Sequence, residues 1–347
     1  MATKSRETGR TALVLGVSGG IGGEVARQLT DAGWHVRALQ RGINAADATS
    51  ATSATPATAA ERGIERLHGD AMDREAVIHA AQGCDVIVHA VNPPGYRRWA
   101  ELVLPMIDNT LAAAQGAGAT VVLPGTVYNF GPEALPLVGE DAPQQPRTRK
   151  GAIRVALEQR LEAAAARGAR SIIVRAGDFF GPQVGNSWLA QGFVQRGQPV
   201  RTVREPGARG VGHAWAYVPD AARAICELIG MRATLAPFAR FHMAGHWDAD
   251  GTQMAAAICR VAQRHGLHAR RKPFPWPLIY AAAPFATTPR EMLEVRYLWR
   301  EALQLDNARL VATLGREPHT PLDAAIEATL GGLGCLGEGA HMLAATP

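Results

Sequence analysis

The chain has 347 residues, a formal net charge of +5 and a pI of about 9.3. This length allows one large α/β unit, or a nucleotide-binding domain with a smaller lobe. The arginines are spread along the chain and are not interleaved with aromatic residues, which argues against nucleic acid as a partner. An anionic small molecule accounts equally well for the excess positive charge.

The cysteines and the N-terminus indicate an intracellular protein without a metal. The four cysteines lie far apart, with no CxxC pair and no histidine at metal-ligand spacing, so neither a zinc site nor a disulfide framework is predicted. The start of the chain lacks the apolar stretch of a signal peptide, and no apolar run is long enough to cross a bilayer. We therefore expect a cytoplasmic protein with no membrane partner.

The segment TALVLGVSGGIGGEVARQL predicts a short buried strand, a glycine turn and an amphipathic helix. Gly16, Gly19 and Gly22 form the turn. Glycine lets the backbone turn sharply and approach a dinucleotide pyrophosphate, while the free N–H groups of the helix meet its charge. A purely structural glycine turn is the alternative.

Strands and helices then alternate as far as residue 175. The predicted elements are strands His35–Leu39 and Glu65–His68, helix Asp73–Gln82, strand Val86–Val91, helix Trp99–Ala117, strand Thr120–Leu123, helix Lys150–Ala166 and strand Ser171–Arg175. This alternation implies parallel pairing through right-handed crossovers, and therefore an α/β, doubly wound parallel sheet of the Rossmann type. The Ala/Thr/Ser-rich stretch 43–62 has no apolar periodicity and is expected to be a mobile insertion.

Beyond residue 181 the alternation decays into glycine- and proline-rich chain. We expect a dinucleotide-binding domain over 1–181, completed by about 211–246. A smaller C-terminal substrate lobe is expected from 182–210 and 247–330, followed by a flexible tail over 331–347. The aromatic residues of this lobe suit either an apolar substrate or the lobe's own core. They are Trp188, Phe193, Trp215, Phe274, Trp276, Tyr280 and Phe285.

The end of the second strand bears on cofactor choice. NAD-specific proteins usually place an acid there to hold the ribose hydroxyls, whereas this chain has Gln40-Arg41-Gly42. A guanidinium holds the 2′-phosphate of NADP bidentately, so Arg41 predicts NADP, with NAD still possible. The alternative is a solvated loop arginine.

Several motifs in order resemble the extended short-chain dehydrogenase/reductase superfamily, in particular its NAD(P)-dependent epimerase/dehydratase-like members. They are the glycine turn, Gly69-Asp70, VIHAVN, Asn109, TVYNFGP, IIVRAGDFFGP and YVPDAARA. The resemblance covers about residues 11–330. It implies a small-molecule substrate, with Asp70 on the adenine. Family members often form homodimers through the two helices predicted here at 99–117 and 150–166, and the residues of these helices neither indicate nor exclude that contact.

The resemblance also implies a set of cofactor-binding residues. They are Gly16, Ser18, Gly19, Gly20, Ile21, Gly22, Arg41, Asp70, Ala71, Ala90, Val91, Asn92, Pro124 and Arg154. The stretch Asn92-Pro93-Pro94-Gly95 follows the fourth strand, where it is expected to line the nicotinamide crevice.

The family's chemistry uses a Ser/Thr four residues before the tyrosine of a VYG motif, and a Tyr-x-x-x-Lys on the next helix. Here Pro124 occupies the Ser/Thr position, Lys150 the tyrosine position and Arg154 the lysine position. The stretch 139–168 contains no tyrosine, so a shift of register does not restore the motif.

One hypothesis is an active enzyme in which Lys150 donates the proton and Arg154 holds the ribose. Thr126 or Tyr128 would then supply a hydroxyl near the substrate oxygen. Neighbouring cations would lower the pKa of Lys150 towards neutrality. Alternatively, Arg154 pairs with Glu158, Lys150 is solvated and Tyr128 packs under the sheet.

Three functional classes follow from these alternatives. The first is an oxidoreductase with a non-standard proton donor. The second is a cofactor-binding sensor that has lost its chemistry, and the third is a redox-neutral epimerase that recycles its cofactor. Sugar-nucleotide members of the family use an arginine to hold the substrate, and His213 is the residue of this chain closest by spacing to the position of that arginine. His213 is therefore either a ligand contact or an ordinary packing histidine.

Overall fold

The computed structural model describes residues 10–42, 63–93 and 98–337, and the expected insertion at 43–62 lies outside this range. The strands are β1 Thr11–Leu15, β2 His35–Gln40, β3 Ile64–His68, β4 Val86–His89, β5 Thr120–Gly125, β6 Leu137–Val138, β7 Arg170–Arg175, β8 Asp178–Phe180, β9 Thr202–Glu205, β10 His213–Tyr217, β11 Phe238–His242, β12 His246–Asp248, β13 Arg270–Pro273 and β14 Gln304–Leu305.

Ten α-helices connect these strands in the described part of the chain. They are α1 Gly20–Asp31, α2 Arg74–Ala80, α3 Trp99–Ala117, α4 Arg149–Ala165, α5 Val218–Gly230, α6 Gln253–Arg264, α7 Trp276–Ala282, α8 Thr287–Glu294, α9 Ala308–Leu314 and α10 Leu322–Gly332. Short 3₁₀ turns occupy Pro132–Ala134 and Arg296–Trp299, and a π-helical turn occupies Leu189–Phe193.

The main sheet has seven parallel strands in the order β11-β7-β5-β4-β1-β2-β3. The chain winds outwards from β1 in one direction through β2 and β3, and in the other through β4 and β5. This confirms the prediction of a doubly wound sheet. The crevice between the ends of β1 and β4 is the point where the strand order reverses, and ligands bind there in open α/β sheets.

Both faces of the sheet are covered by helices. In β1, Ala12 and Val14 pack into the core formed with α1 and α5, whereas Leu13 and Leu15 pack into the core formed with α2, α3 and α4. A strand buried on both faces needs apolar side chains at every position, which is why β1 is a continuous apolar run without alternation.

The C-terminal lobe has its own core, to which β8 and β10 of the three-stranded sheet β12-β10-β8 contribute Phe180, Trp215 and Tyr217. These two strands lie in ranges that were expected to belong to the dinucleotide-binding domain. Chain end 331–337 belongs to this core, because Leu333, Cys335 and Leu336 are buried there. The Gly197 and Val200 N–H groups donate to the carbonyls of Leu333 (2.9 Å) and Cys335 (3.1 Å). The expectation of a flexible tail is therefore wrong for 331–337, since its apolar side chains gain burial. Residues 338–347 lie outside the described range.

Two classes of site have no counterpart in the described part of the chain. None of its helices is both long and apolar enough to span a membrane. Its His, Cys, Asp and Glu side chains form no group of three or more suited to holding a metal ion.

A buried ion pair joins the sheet to α4. Arg175, at the end of β7, donates from Nε to Glu158 Oε1 (3.0 Å) and from Nη2 to Glu158 Oε2 (2.5 Å). Both side chains are almost fully buried. Asn129, in the loop after β5, donates to Glu158 Oε1 at 3.0 Å. These contacts fix α4, the end of β7 and the loop after β5 relative to one another.

His242 completes this network as a neutral imidazole. Its Nε2 accepts from Arg175 Nη1 (2.9 Å), and its Nδ1 donates to the Val138 carbonyl (3.0 Å). Burial, reinforced by Arg175, lowers the pKa of His242 to about 3. Burial likewise lowers the pKa of His89 to about 3 and that of His246 to about 4.

These histidines predict loss of stability in mild acid. Each folded-state pKa lies below the usual 6.5, so the unfolded chain takes up a proton first as the pH falls. Below pH 6.5 the free energy of unfolding should fall by up to about 1.4 kcal/mol per pH unit for each such histidine. When urea unfolding is measured at a series of pH values, the free energy of unfolding of His242→Gln should depend less steeply on pH than that of the wild-type protein. The matched control is His79→Gln, at an exposed position of α2, and equal slopes for wild type and His242→Gln would contradict the prediction.

Candidate functional site

The glycine turn packs against the end of β4. Gly16 has φ +92°, and a Cβ on it would lie 2.6 Å from the Ala90 carbonyl oxygen. A Cβ on Gly22 would lie 2.3 Å from the Gly16 carbonyl oxygen and 3.1 Å from the Ala90 side chain. The turn, the first helix and β4 therefore approach one another at distances that only glycine allows.

The N-terminus of α1 is open to an anion. Its N-cap residue is Gly19, which makes no side-chain capping bond, and the first turn contains no acidic residue. Ser18 and Gly19 are exposed, while Ile21 packs inwards against the core. Unpaired helix N–H groups and the positive end of the helix dipole suit a pyrophosphate, so these residues fit a dinucleotide. A Cβ on Gly20 would lie 2.9 Å from the Val184 side chain.

The adenosine side of the crevice is built at the ends of β2 and β3. Arg41 and Asp70 meet there, with Nη1 and Oδ2 3.8 Å apart, and the Arg41 side chain is 71% exposed. Ala71 is held by Asn109 of α3, whose Nδ2 donates to the Ala71 carbonyl at 3.0 Å. Both predicted residues therefore reach the same edge of the sheet, and Arg41 is available to a ligand.

The nicotinamide side lies at the ends of β4 and β5. Val91 is half-buried and Asn92 is exposed. Pro124 is buried within β5 and paired with Val174, so it offers no hydroxyl to a substrate. Thr126 donates from Oγ1 to Asn129 Oδ1 at 3.3 Å. Residues 94 and 95 of the expected lining lie outside the described range.

Lys150 is buried in an ion pair with the C-terminal lobe. Its Nζ lies 2.9 Å from Glu291 Oε2 and donates to the Glu291 carbonyl at 2.9 Å. The alternative of a solvated Lys150 is therefore wrong, since only 2% of its surface is exposed. Burial lowers the pKa of Lys150 below its usual value, although the neighbouring Glu291 carboxylate opposes that shift.

Helix α8 also caps α4. Glu294 Oε1 accepts from the Lys150 backbone N–H at 2.9 Å, and Thr148 Oγ1 accepts from the Gly151 N–H at 3.0 Å. The first turn of α4 has no acid of its own. The carboxylates of α8 therefore supply the negative charge that stabilises a helix N-terminus.

The Arg154 side chain contacts a different part of the structure from the Lys150 side chain. Its guanidinium lies over the Trp99 ring, 5.0 Å from the ring centroid. Its charge also lowers the pKa of His89, after the larger effect of burial, which places Arg154 near the end of β4. The alternative of an Arg154–Glu158 pair is wrong, because within the described ranges the ion pair of Glu158 is formed with Arg175.

Tyr128 packs towards the C-terminal lobe. It lies half-buried against an apolar cluster that includes Val127, Phe130 and Leu298. Its carbonyl oxygen would lie 2.2 Å from a Cβ on Gly151, so the loop after β5 is in close contact with α4. The structure thus brings Tyr128 beside the helix that carries Lys150.

A cavity of about 520 Å³ opens between the starts of α3 and α4 and helix α8. Cations outnumber carboxylates on its wall. Its lining includes Arg98, Trp99, Lys150, Ile153, Arg290 and Glu291. Lys150 is therefore placed beside a space large enough for a small organic substrate.

His213 is part of the lobe core. Its Nε2 lies 2.8 Å from Asp178 Oδ2 and its Nδ1 lies 3.1 Å from the Leu298 carbonyl. Its ring stacks on Trp299, with centroids 3.8 Å apart and an angle of 5° between the planes. Of the two sequence interpretations, the packing histidine fits these contacts.

Sequence reasoning missed the partners of Lys150 and Arg154. Glu291 lies 141 residues after Lys150 and belongs to a helix that carries no recognised motif. Trp99 was recognised only as the start of a helix. No local sequence pattern predicts either contact, because each contact forms by packing between elements that are distant in the chain.

The fold and the glycine turn define a Rossmann-type nucleotide-binding protein. Residues 12–241 match the model of the NAD dependent epimerase/dehydratase family. The chain belongs to that family.

Solved structures with the same fold have low sequence identity. An epimerase candidate from Burkholderia cenocepacia J2315 is 20% identical, with 95% of this chain and 99% of that chain covered and a TM-score of 0.68. The protein MoeE5, solved with UDP-glucose and NAD, is 17% identical over 93% of this chain and 98% of its own, with a TM-score of 0.67. A UDP-galactose 4-epimerase is 19% identical, covering 96% and 99%, with a TM-score of 0.66.

The protein y4nL of Sinorhizobium fredii (strain NBRC 101917 / NGR234), which is uncharacterized, is 26% identical over 181 residues. The match covers 49% of this chain and about half, 51%, of y4nL.

The close contacts of Gly22 predict that a single methyl group disturbs the crevice. Gly22→Ala should lower the free energy of unfolding by about 1–3 kcal/mol, because its Cβ would overlap the Gly16 carbonyl. The matched control is Gly116→Ala in α3, where nothing lies within 4 Å of the new Cβ. There alanine should be neutral, or stabilising by up to about 1 kcal/mol. Equal denaturation midpoints for the two variants would contradict the prediction that the close packing at Gly22 requires glycine.

Proposed function

We propose that the protein is an NAD(P)-dependent oxidoreductase or epimerase that acts on a small organic substrate with a non-standard proton donor. The observation that carries the proposal is the glycine turn closed against Ala90 at the point of strand reversal, in a chain of the NAD dependent epimerase/dehydratase family. The structural relative MoeE5, solved with UDP-glucose and NAD, supports a nicotinamide dinucleotide in this crevice.

NADP is the cofactor that the strand ends favour. Arg41 is exposed at the end of β2, where a ribose 2′-phosphate would lie, and a guanidinium binds a phosphate through two parallel hydrogen bonds. Its weak pairing with Asp70, at 3.8 Å, leaves these donors available. In NAD-specific proteins a carboxylate at this position would repel the same phosphate.

Replacing Arg41 should reverse this preference. Arg41→Asp should raise the Kd for NADP by about tenfold or more while changing the Kd for NAD little, because it removes the guanidinium and adds a repelling charge. Calorimetric titration of both cofactors measures the change. Arg209→Asp, at an exposed position outside the crevice, makes the same change in net charge and is the control. Equal affinities of the wild-type protein for NADP and NAD would remove the 2′-phosphate contact.

Lys150 is the proposed proton donor. If NADPH is bound, it would supply a hydride for the carbonyl carbon of the substrate, and the carbonyl oxygen would then need a proton from the protein. Lys150 borders the cavity, and burial lowers the pKa of its ammonium, so Nζ–H transfers a proton more readily than an exposed lysine does. Arg154, whose guanidinium lies over the Trp99 ring, is the proposed contact to the cofactor ribose.

The role of Lys150 must be separated from its structural pairing. Lys150→Met alone leaves the Glu291 carboxylate buried without its closest cation and should destabilise the fold by about 3–5 kcal/mol. The double variant Lys150→Met/Glu291→Leu replaces the pair with apolar groups and should recover most of that loss. It should still bind NADP but lose NADPH oxidation with carbonyl substrates, measured across a panel that includes nucleotide sugars. Full activity in the double variant would reject Lys150 as the donor.

The pH dependence gives a second readout. If Lys150 donates the proton, wild-type kcat/KM should fall as the pH rises through the lowered pKa of Lys150. A redox-neutral epimerase would leave the nicotinamide absorbance unchanged, so product stereochemistry must be examined as well.

The same ion pair favours a second function, that of a cofactor-binding sensor without turnover. Glu291 neutralises Lys150 and closes over it, and Pro124 removes the hydroxyl that would polarise a substrate oxygen. A sensor would bind NADP tightly, show no turnover of any panel compound, and change partner association with the redox state of the cofactor. Hydride transfer to a substrate at an ordinary enzymatic rate would exclude it.

A further inference from the structure

Helix α7 displays apolar side chains to solvent. It contains no buried residue. Leu278 is 68% exposed, Tyr280 is 50% exposed, and Phe285, just beyond the helix, is 90% exposed. Single exposed apolar residues are ordinary, whereas a group of them on one short element marks a contact surface. These three residues are called the α7 patch below.

The charged residues near the α7 patch in the sequence are mostly basic. Residues 251–290 contain no Asp or Glu and six Lys or Arg. Arg270 and Lys272 precede α7, and Arg290 follows it on α8, which packs against α7. These three side chains are exposed and form no ion pair with any residue in the described ranges. The nearest acids of α8 are engaged, since Glu291 pairs with Lys150 and Glu294 accepts from the Lys150 N–H.

Aromatic rings and a guanidinium lie at the border of the patch. Arg296 lies over Trp276, 4.7 Å from its ring centroid, and over Tyr280 at 5.1 Å, and it donates to the Tyr280 hydroxyl. Tyrosine and tryptophan beside cations are typical of segments at a membrane–water boundary, where the ring enters the boundary and the polar tip remains hydrated.

We propose that the α7 patch docks on the surface of a membrane that contains anionic lipids. Leu278 and Phe285 enter the headgroup boundary, and Arg270, Lys272 and Arg290 contact lipid phosphates. Charge complementarity favours this occupant, because exposed apolar side chains, flanked in the sequence by three cations that pair with no acid in the described ranges, match an apolar interior beneath negative headgroups. Docking at the surface requires no spanning helix. Since α8 lines the cavity at Lys150, docking also sets that cavity close to the lipid surface.

Vesicle sedimentation of the full chain tests the proposal. The wild-type protein is mixed with vesicles of phosphatidylcholine alone, or of phosphatidylcholine with phosphatidylglycerol, at low and at high NaCl. We expect co-sedimentation with the anionic vesicles only, weakening as salt rises. Leu278→Ser/Phe285→Ser should lower the partition coefficient by about tenfold or more, because two large apolar side chains no longer enter the lipid.

The controls separate docking from unfolding and from self-association. Leu137→Ser/Met231→Ser removes two exposed apolar side chains elsewhere and should bind vesicles like wild type. Thermal unfolding and NADP titration check that both variants are folded. Equal sedimentation with neutral and anionic vesicles, or equal loss in both variants, would overturn the proposal. A wild-type dimer that becomes monomeric in Leu278→Ser/Phe285→Ser would overturn it too, by showing that the patch binds a second copy.

Discussion

The bidentate pair between Arg175 and Glu158 holds the site together. It connects the end of β7 to the middle of α4, and through Asn129 and His242 it reaches the loop after β5 and strand β11. Removing one partner of such a pair leaves a buried charge and costs about 3–5 kcal/mol. Because Lys150 lies about two turns before Glu158 on the same helix, its position beside the cavity depends on this anchor. The hydrogen bonds around Arg175 and Glu158 thus have a structural role, which is to hold Lys150 beside the cavity.

Close backbone approach is the second constraint on the crevice. Gly16, Gly22 and Ala90 bring the first turn and the end of β4 into contact, which leaves the N-terminus of α1 facing the gap between β1 and β4. The cofactor side is therefore shaped by backbone atoms, which tolerate changes elsewhere in the sequence. The cavity beside Lys150 is lined instead by side chains from α3, α4 and α8.

Sequence patterns predicted the parts of the structure that local physics controls. The helix expected at Trp99–Ala117 has those same bounds, and the sequence analysis predicted six of the seven strands of the parallel sheet in their order along the chain. The contacts of Lys150 could not be predicted, because Glu291 lies 141 residues away in the chain and meets Lys150 only through the packing of α8 against α4. The expectation of a flexible tail fails for residues 331–337, because a position near a terminus predicts fraying, whereas Leu333, Cys335 and Leu336 are buried in the core of the C-terminal lobe.

The Lys150–Glu291 pair couples two positions that lie far apart in the chain. A carboxylate at 291 without a cation at 150 is left buried and poorly compensated, and a cation at 150 without that carboxylate meets the same penalty. Substitutions at the two positions are therefore epistatic, and evolutionary drift at one is constrained by the other. A substitution at position 291 therefore alters the surroundings of the first turn of α4, although the two positions are 141 residues apart in the chain.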